Sequence, residues 1–364
     1  MRRRAVVRAV RGGPVSKRRK HAPGGARPPA PVPPAPPAWR AALLALGAVL
    51  LVGALGLGWW LANGTSGAPA NLPVPTPVAG AMGSVTGCRG IPRFARQLGY
   101  ANRLGIGTGE RQYSGLVIFD GRVPVTADPA MRDIHQEPSW DDAGTLGPFV
   151  LDRDGNIYTA AVPRTAVSDN PPGSLNVVYR IDSDTAELQP FVTLPGVPAG
   201  SSENPFGILG MTYDCDTHAL YVSTVAGSTR LSEQGRVLRI DLASKEISEE
   251  VLGIDAIGLA IFRGRAEKRL YIGMARSAEV GSVALDAAGH AVGSFRSDLT
   301  LDEAAIDFGE PRVRRIGFDQ TNMTLFVVPF AFNLRAVSEQ QQVTLRYGYD
   351  AERDSWVPFP GGAP

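Results

Sequence analysis

Acidic and amide side chains recur at one kind of position, directly before apolar, glycine-containing segments typical of β-strands. They precede four successive segments and comprise Asp141 and Asp142, then Glu203 and Asn204, then Asp255, and finally Glu310, with Trp140 and Arg312 beside the first and last of them. Carboxylate and amide oxygens are hard ligands suited to Ca²⁺ or a similar divalent ion. If the four segments surround one channel, these side chains ring its mouth. Any one of these acids taken alone is better explained as a turn cap or a solvated side chain.

A histidine stands close to the first of these groups. His135 is followed by Glu137 and lies near Trp140, so an imidazole, a carboxylate and an aromatic ring could meet at one ligand. The chain has 4 histidines, and no His-Glu-x-x-His zinc motif is present. His135 is therefore a candidate ligand-binding residue, together with Trp140, Asp141, Asp142, Glu310 and Arg312.

The elements that must position these residues repeat along the chain. Pairs of apolar segments joined by a short turn occur four times, at 146–152 with 156–159, 208–214 with 219–223, 257–262 with 269–273, and 315–319 with 324–328. Each pair is followed by a further hairpin, whose first strands are 177–182, 236–241, 281–286 and 343–347. Four antiparallel strands per repeat indicate an all-β propeller. A β-sandwich would not repeat its turn chemistry so regularly.

The number of blades follows from the repeat length. Blades take about 40–50 residues, so residues 88–364 predict about six four-stranded blades. Four are legible in the sequence. Residues 88–145 must supply the rest, and only 115–119 reads there as a strand.

Loop lengths predict which face of the propeller binds ligands. Turns within hairpins are short, whereas the loops on the opposite face are long and varied, at 163–174, 196–204, 226–234 and 329–342. Long loops on a rigid scaffold are where binding residues concentrate. We therefore expect this long-loop face to bind a small molecule, a glycan or a protein.

The strand pattern resembles the six-bladed propellers of the SMP-30/gluconolactonase, strictosidine-synthase and NHL kind. The resemblance covers about residues 147–358, in the apolar strand, Asp turn and following Arg-Ile-Asp. It implies a divalent ion, Ca²⁺ or Zn²⁺, held in the channel by Glu, Asn and Asp, and hydrolysis of lactones. Glu203, Asn204 and Asp255 stand at comparable places and are the candidate metal ligands.

The first 87 residues predict a membrane anchor. Residues 1–40 hold 11 basic side chains, no acid and many prolines, which is typical of a disordered tail. Residues 41–62 are 22 uncharged, mostly apolar residues, enough for a transmembrane helix. The basic flank places the N-terminus in the cytoplasm. Residues 63–87 then form a linker, and 88–364 an extracytoplasmic domain.

Charge and cysteine content narrow the function classes further. The chain carries a net +2, but everything after residue 80 carries 26 basic and 35 acidic side chains, a net −9. An acidic domain repels phosphate, so we expect no nucleic-acid partner. Cys88 and Cys215 both fall in the extracytoplasmic part, where they form either one disulfide or two free thiols.

Two functional hypotheses remain from the sequence. The favoured one is a membrane-anchored module that binds a ligand or a protein on the long-loop face, since no compact catalytic motif is present. The alternative is a divalent-metal-dependent hydrolase of lactones or related esters, using Glu203, Asn204 and Asp255.

Overall fold

The structure is a computed structural model, and it divides the chain into two units, residues 1–67 and 68–364. It describes residues 82–101, 103–108, 113, 115–123, 133–163, 174–301, 311–319, 323–333, 336–338 and 343–359. The predicted tail, the predicted transmembrane helix and Glu310 lie outside these residues. No helix within the described ranges is long and apolar enough to cross a membrane.

The described residues form five antiparallel sheets, named I to V here in chain order. Sheet I contains β2 (Leu104–Gly107), β3 (Val117–Asp120) and β4 (Ile134–His135). Sheet II contains β5 (Leu146–Leu151), β6 (Ile157–Ala161), β7 (Val177–Ile181) and β8 (Leu188–Thr193). Sheet III contains β9 (Ile208–Asp214), β10 (Ala219–Thr224), β11 (Arg236–Asp241) and β12 (Ile247–Leu252).

Sheets IV and V complete the set. Sheet IV contains β13 (Ala256–Arg263), β14 (Lys268–Met274), β15 (Glu279–Leu285) and β16 (Ala291–Thr300), and β1 (Gly83–Ser84) pairs with the free edge of β13. Sheet V contains β17 (Pro311–Asp319), β18 (Thr324–Asn333), β20 (Leu345–Asp350) and β21 (Ser355–Pro358), with β19 (Ala336–Ser338) beside β18. A short helix α1 (Arg93–Gln97) and a 3₁₀ helix (Pro138–Ala143) lie between strands.

The first strands of sheets II to V lie side by side, which is the arrangement of a propeller around a central channel. β5 contacts β9, β9 contacts β13, and β13 contacts β17. The approach is close because Gly210 has no side chain: a Cβ there would lie 2.0 Å from the Ile257 carbonyl oxygen. The all-β propeller predicted from the repeat is confirmed.

The predicted count of six blades is wrong for the described residues, which form five sheets. The described part of residues 88–145 contributes one three-stranded sheet rather than two blades. The repeats that begin with β5 and β13 are longer than the 40–50 residues assumed, because they include the loops 163–174 and 301–311.

Each pair of successive sheets encloses its own apolar cluster. Representative members are Leu116 and Ile157 between sheets I and II, Tyr158 and Tyr213 between II and III, Tyr221 and Ile261 between III and IV, and Phe262 and Trp356 between IV and V. Burial of these apolar faces, on both sides of sheets II to IV, supplies the main free energy of folding. The strands are therefore held in place by packing, and the loops at their ends are free to differ in length and sequence.

The short turns share one device, which explains the aspartates in the repeat. The Asp152 carboxylate accepts hydrogen bonds from the amides of Asp154 and Asn156, each at 2.9 Å. Asp182, Asp241 and Asp286 accept turn amides in the same way, and these bonds hold the pKa of each carboxyl below its usual range. The aspartates of the short turns are structural.

Candidate functional site

Asp255 lies at the centre of a hydrogen-bonded network on the long-loop face. It directly precedes β13, and its side chain is 0% exposed. One carboxylate oxygen accepts from the Gly235 amide at 2.9 Å and from the Ser228 hydroxyl. The other accepts from Arg276 Nε at 2.6 Å. A buried carboxylate needs such donors, because desolvation of an unpaired charge is costly.

Arg276 connects this carboxylate to the loop formed by residues 228–235, which joins β10 to β11. Its Nη2 donates to the carbonyl oxygens of Thr229 at 2.8 Å and Ser232 at 2.9 Å. Glu233 accepts a hydrogen bond from the Asp255 amide. The ion pair therefore holds both ends of the 228–235 loop, which belongs to sheet III, against residues of sheet IV.

Asn204 joins the same network from the link between sheets II and III. Its side chain is buried, and its Nδ2 donates to the carbonyl oxygens of Val225 at 2.7 Å and Ser228 at 2.9 Å. Its Oδ1 accepts from the Phe206 amide at 3.1 Å. Asn204 and Asp255 thus both bond to Ser228, one through the backbone and the other through the hydroxyl.

The residues predicted as metal ligands do not fit a metal ion in this arrangement. Both oxygens of Asp255 and the one oxygen of Asn204 already accept hydrogen bonds from protein groups. Glu203 is exposed to solvent. Within the described ranges, no group of three or more His, Cys, Asp or Glu side chains could hold a metal ion. Asn204 and Asp255 instead fix the base of the 228–235 loop.

Trp140 is a core residue, which corrects its prediction as a ligand-binding side chain. It is 0% exposed, its indole Nε1 donates to the Ala186 carbonyl oxygen at 2.9 Å, and its ring meets the edge of Phe94 at 6.2 Å between centroids. The neighbouring Asp141 and Asp142 are exposed on the same 3₁₀ helix. The helical turn, invisible in the local pattern, places them on its opposite side.

His135 and Arg312 make contacts of their own. His135 Nε2 is 2.8 Å from Glu137 Oε1, so the pair expected from the sequence is formed, on the partly exposed sheet I. Arg312 lies near the start of β17, and its Nη1 donates to the Pro311 carbonyl oxygen at 3.0 Å. Nothing in these contacts joins the two residues into one site.

The tip of the 228–235 loop carries the residues that sequence reasoning missed. Leu231 is 96% exposed, and Arg230 beside it is exposed without a side-chain bond to any described residue. The loop length had pointed to this region. Its rigidity depends on Arg276, more than forty positions along the chain, and no local signal reveals that contact.

The opposite end of the channel is crossed by residues 83–97, called the N-terminal belt here. Gly83 and Ser84 pair with Arg263 and Phe262 of β13, although the sequence had assigned them to the linker. The Cys215 amide in the β9–β10 turn donates to the Val85 carbonyl oxygen at 3.2 Å. The Gly90 amide donates to the Asp152 carbonyl oxygen at 2.8 Å. The belt therefore spans the short-turn ends of sheets IV, III and II.

A disulfide fixes the belt in the middle of this path. Cys88 and Cys215 are bonded, as one of the two sequence alternatives required. Beyond it, Gly90 packs so tightly that a Cβ would lie 2.6 Å from the Arg153 carbonyl oxygen. The Phe94 amide of α1 then donates to the Ser183 carbonyl oxygen at 2.9 Å.

Solved structures similar to this chain include propellers of the kind that the repeat resembles. One is regucalcin, a calcium-binding protein from Agrobacterium tumefaciens, at 11% identity and a TM-score of 0.36, covering 78% of this chain and 80% of that one. Another is a gluconolactonase from Xanthomonas campestris, at 16% identity and a TM-score of 0.38, covering 59% of this chain and 62% of that one. At these TM-scores neither likeness says anything about the activity of this chain.

Comparison by sequence finds no relative. No protein-family model and no curated protein matches the chain.

Proposed function

We propose that this protein is a membrane-anchored, extracytoplasmic interaction module that binds a partner protein on its long-loop face through the 228–235 loop. The observation that carries the proposal is Leu231, 96% exposed at the tip of a loop whose base is held by a buried ion pair. A single exposed leucine on a flexible loop would mean little. An exposed leucine on a fixed loop is preorganised for binding.

The rigidity of the loop matters because ordering a loop on binding costs free energy. Arg276, Ser228 and Glu233 already hold the loop in place before any partner arrives. Preorganisation of this kind raises affinity mainly by removing that cost. The fixed tip then presents Arg230 and Leu231 together.

The chemistry of the tip defines the partner. Arginine is enriched among the side chains that dominate interface energy, and an adjacent leucine adds apolar area to be buried. The complementary surface is an apolar pocket bordered by carboxylates. A protein supplies such a pocket, whereas a glycan or a small polar molecule does not bury a leucine side chain well.

The anchor in the proposal comes from the sequence of residues 1–62. The uncharged stretch 41–62 would span the bilayer, and the 11 basic residues of 1–40 would stay with the anionic cytoplasmic leaflet. The disulfide is consistent with an oxidising compartment for the propeller. The interaction would therefore take place outside the cytoplasm.

Site-specific photo-cross-linking tests the partner directly. Leu231 is replaced by a photoreactive amino acid in the full chain. Cross-linking is then carried out in native membranes that have been washed with carbonate, which leaves only anchored proteins. We expect one discrete protein adduct at position 231 and none at Ala243, an exposed control in the β11–β12 turn. With the partner identified and purified, Leu231→Ser and Arg230→Glu should each weaken its binding about tenfold or more.

Several outcomes would contradict this proposal. Equal amounts of adduct at positions 231 and 243 would mean that the cross-linking is nonspecific. If Leu231→Ser binds the partner protein as tightly as the native chain does, the loop is not part of the interface. If carbonate washing releases the chain from the membranes, residues 41–62 do not anchor it. A glycan or small molecule in place of a protein adduct would overturn the class of partner.

The alternative, a divalent-metal-dependent lactone hydrolase, is tested by the metal itself. Because the oxygens of Asp255 and Asn204 are bonded to protein donors, we expect the thermal midpoint of the purified chain to be the same with added Ca²⁺, with added Zn²⁺ and with EDTA. Glu203→Ala should leave that midpoint unchanged as well. Stoichiometric metal that is lost in Glu203→Ala would instead support the hydrolase.

A further inference from the structure

The Cys88–Cys215 disulfide joins two cysteines that lie in unequal surroundings. Cys88 belongs to the N-terminal belt and is exposed to solvent. Cys215 belongs to the β9–β10 turn, is half-buried and packs against the apolar cluster between sheets II and III. A thiolate attacks the sulfur that it can reach, and exposed disulfides are the ones that exchange most readily. In the folded protein we therefore expect attack at the Cys88 sulfur.

Cys215 is the better leaving group of the two cysteines. The backbone amide of Cys88 donates a hydrogen bond to Cys215 Sγ at 3.2 Å, which favours negative charge on that sulfur. The Arg153 guanidinium also contacts the turn: its Nη2 donates to the Cys215 carbonyl oxygen at 3.5 Å, and its Nε donates to the Tyr213 hydroxyl at 3.0 Å. Exchange is faster when the leaving thiolate is stabilised.

Solvent also reaches the Cys215 side of the bond. An open cleft of about 220 Å³ is lined in part by Gly87, Cys215, Asp216 and Arg263. Asp216 is ion-paired with Arg263, so the carboxylate that follows Cys215 in the chain is balanced by a cation. A thiolate released on Cys215 would be hydrated in this cleft rather than enclosed among apolar side chains.

The turn that carries Cys215 does not depend on the disulfide for its shape. The buried Asp214 carboxylate accepts hydrogen bonds from the Asp216 amide at 3.0 Å and from the Thr217 hydroxyl at 2.8 Å. The Asp214 carboxylate is also 2.8 Å from the Nζ of Lys268, which is buried as well. Cys215 should therefore keep its place when the disulfide is reduced.

The belt likewise has hydrogen bonds on both sides of Cys88. The Val85 carbonyl oxygen accepts from the Cys215 amide at 3.2 Å, and the Gly90 amide donates to the Asp152 carbonyl oxygen at 2.8 Å. In the reduced chain these bonds would keep the two thiols close together, at a high effective concentration that favours closure of the disulfide. Until it closes, hydrogen bonds alone would fix the belt between β1 and α1.

We propose that the Cys88–Cys215 disulfide is a reversible redox switch, opened by a low-molecular-weight thiol that attacks Cys88 in the folded protein. The thiolate forms a bond to the Cys88 sulfur, the bond between the two cysteines breaks, and Cys215 leaves with the electron pair. A second small thiolate attacks the first one's sulfur in the mixed disulfide and releases Cys88. Two small thiols are thereby oxidised to their disulfide, and their protons pass to the two cysteines.

The switch controls how firmly the belt is fixed to the short-turn ends of the sheets. In the oxidised chain the belt is bonded covalently to sheet III, and in the reduced chain it is not. None of these contacts involves the 228–235 loop, so the switch stands or fails independently of the partner protein.

Reduced glutathione is the probe, added to the full chain in detergent without denaturant. Samples taken over time are quenched with N-ethylmaleimide and mapped by mass spectrometry. We expect the exchange rate to rise in proportion to the glutathione concentration, as direct attack on the folded state requires. The first glutathione adduct should be on Cys88 rather than Cys215 by about tenfold or more. Oxidised glutathione should then restore the disulfide without any refolding step.

Three arginine variants test the leaving group. Arg153→Gln should slow the exchange about threefold, because it removes a cation beside the leaving thiolate, and Arg153→Lys should keep most of the native rate. Arg353 is 78% exposed in the β20–β21 turn, and Arg353→Gln is the matched control with the native rate. An unchanged rate in Arg153→Gln would count against Cys215 as the leaving group.

Two results would overturn the proposal as a whole. The first is a reduction rate that is zero or does not depend on the glutathione concentration, because reduction would then wait for the protein to unfold. The second is an adduct found mainly on Cys215, because the exposed sulfur would then not be the one attacked.

Discussion

Replacing Asp255 with alanine should lower the free energy of unfolding by about 3 kcal/mol, near the lower end of the range for a broken buried ion pair. The substitution leaves Arg276 Nε, the Ser228 hydroxyl and the Gly235 amide without their acceptor. The value is not larger because Arg276 remains partly exposed and can be hydrated. Denaturant unfolding of the purified chain measures the change.

A double-mutant cycle separates the ion pair from packing. Asp255→Asn keeps the shape of the side chain, and Arg276→Met keeps most of its apolar stem. Arg276→Met alone should be the more damaging single change, since it leaves a fully buried carboxylate unpaired. The double variant should lose less than the sum of the two by about 1–3 kcal/mol.

The outcome that would contradict this interpretation is additivity within about 0.5 kcal/mol. Arg353→Ala serves as the control, because an exposed ion pair contributes little, and it should change stability by less than about 0.5 kcal/mol. Hydrogen exchange supplies a second measurement. The Gly235 amide should exchange faster in Asp255→Ala, and amides of the β13–β14 pair should not.

Removing the disulfide should have an effect of similar or greater size. The bond joins residues 127 positions apart, and the chain-entropy model gives about 4–5 kcal/mol for a loop of that length. We therefore expect Cys88→Ser with Cys215→Ser to lower the free energy of unfolding by about 2–5 kcal/mol, measured by denaturant unfolding. Reduction of the native chain should reproduce most of this loss.

The same variant should also loosen the belt. Trypsin cleavage after Arg89 and Arg93 should become faster, whereas Arg353, in the exposed β20–β21 turn, should be cleaved at an unchanged rate. A loss below about 0.5 kcal/mol, or unchanged cleavage of the belt, would mean that Gly90, Ile91 and α1 hold it without the covalent link.

The fold was largely readable from the sequence because the repeat has a physical cause. Most short turns use an aspartate to accept their free amides, and the inner strands of sheets III and IV carry apolar side chains for both neighbouring sheets. The number of blades was not readable, because it depends on loop lengths that the turn chemistry leaves open. The strand β1 was missed for a similar reason: two residues of edge pairing leave no periodic signal.

The site was readable only in part. Asn204 and Asp255 were identified because each lies just before an inner strand, and in the structure both form hydrogen bonds with Ser228. Their chemistry was not predictable, because whether a carboxylate meets a metal ion or an arginine is decided by a residue such as Arg276 on a distant loop. Trp140 was misjudged because an aromatic residue beside two acids can face either side of a helical turn.

The belt also determines how the propeller would respond to mechanical load. Tension applied to the chain ahead of Met82 would first strip the two-residue pairing of β1 from β13, which is a weak, zipper-like contact. Separation of the chain from the domain would then stop at Cys88, because the disulfide transmits the force to the β9–β10 turn of sheet III. Arg89, Gly90 and α1 would carry none of this load and would keep their contacts with sheet II.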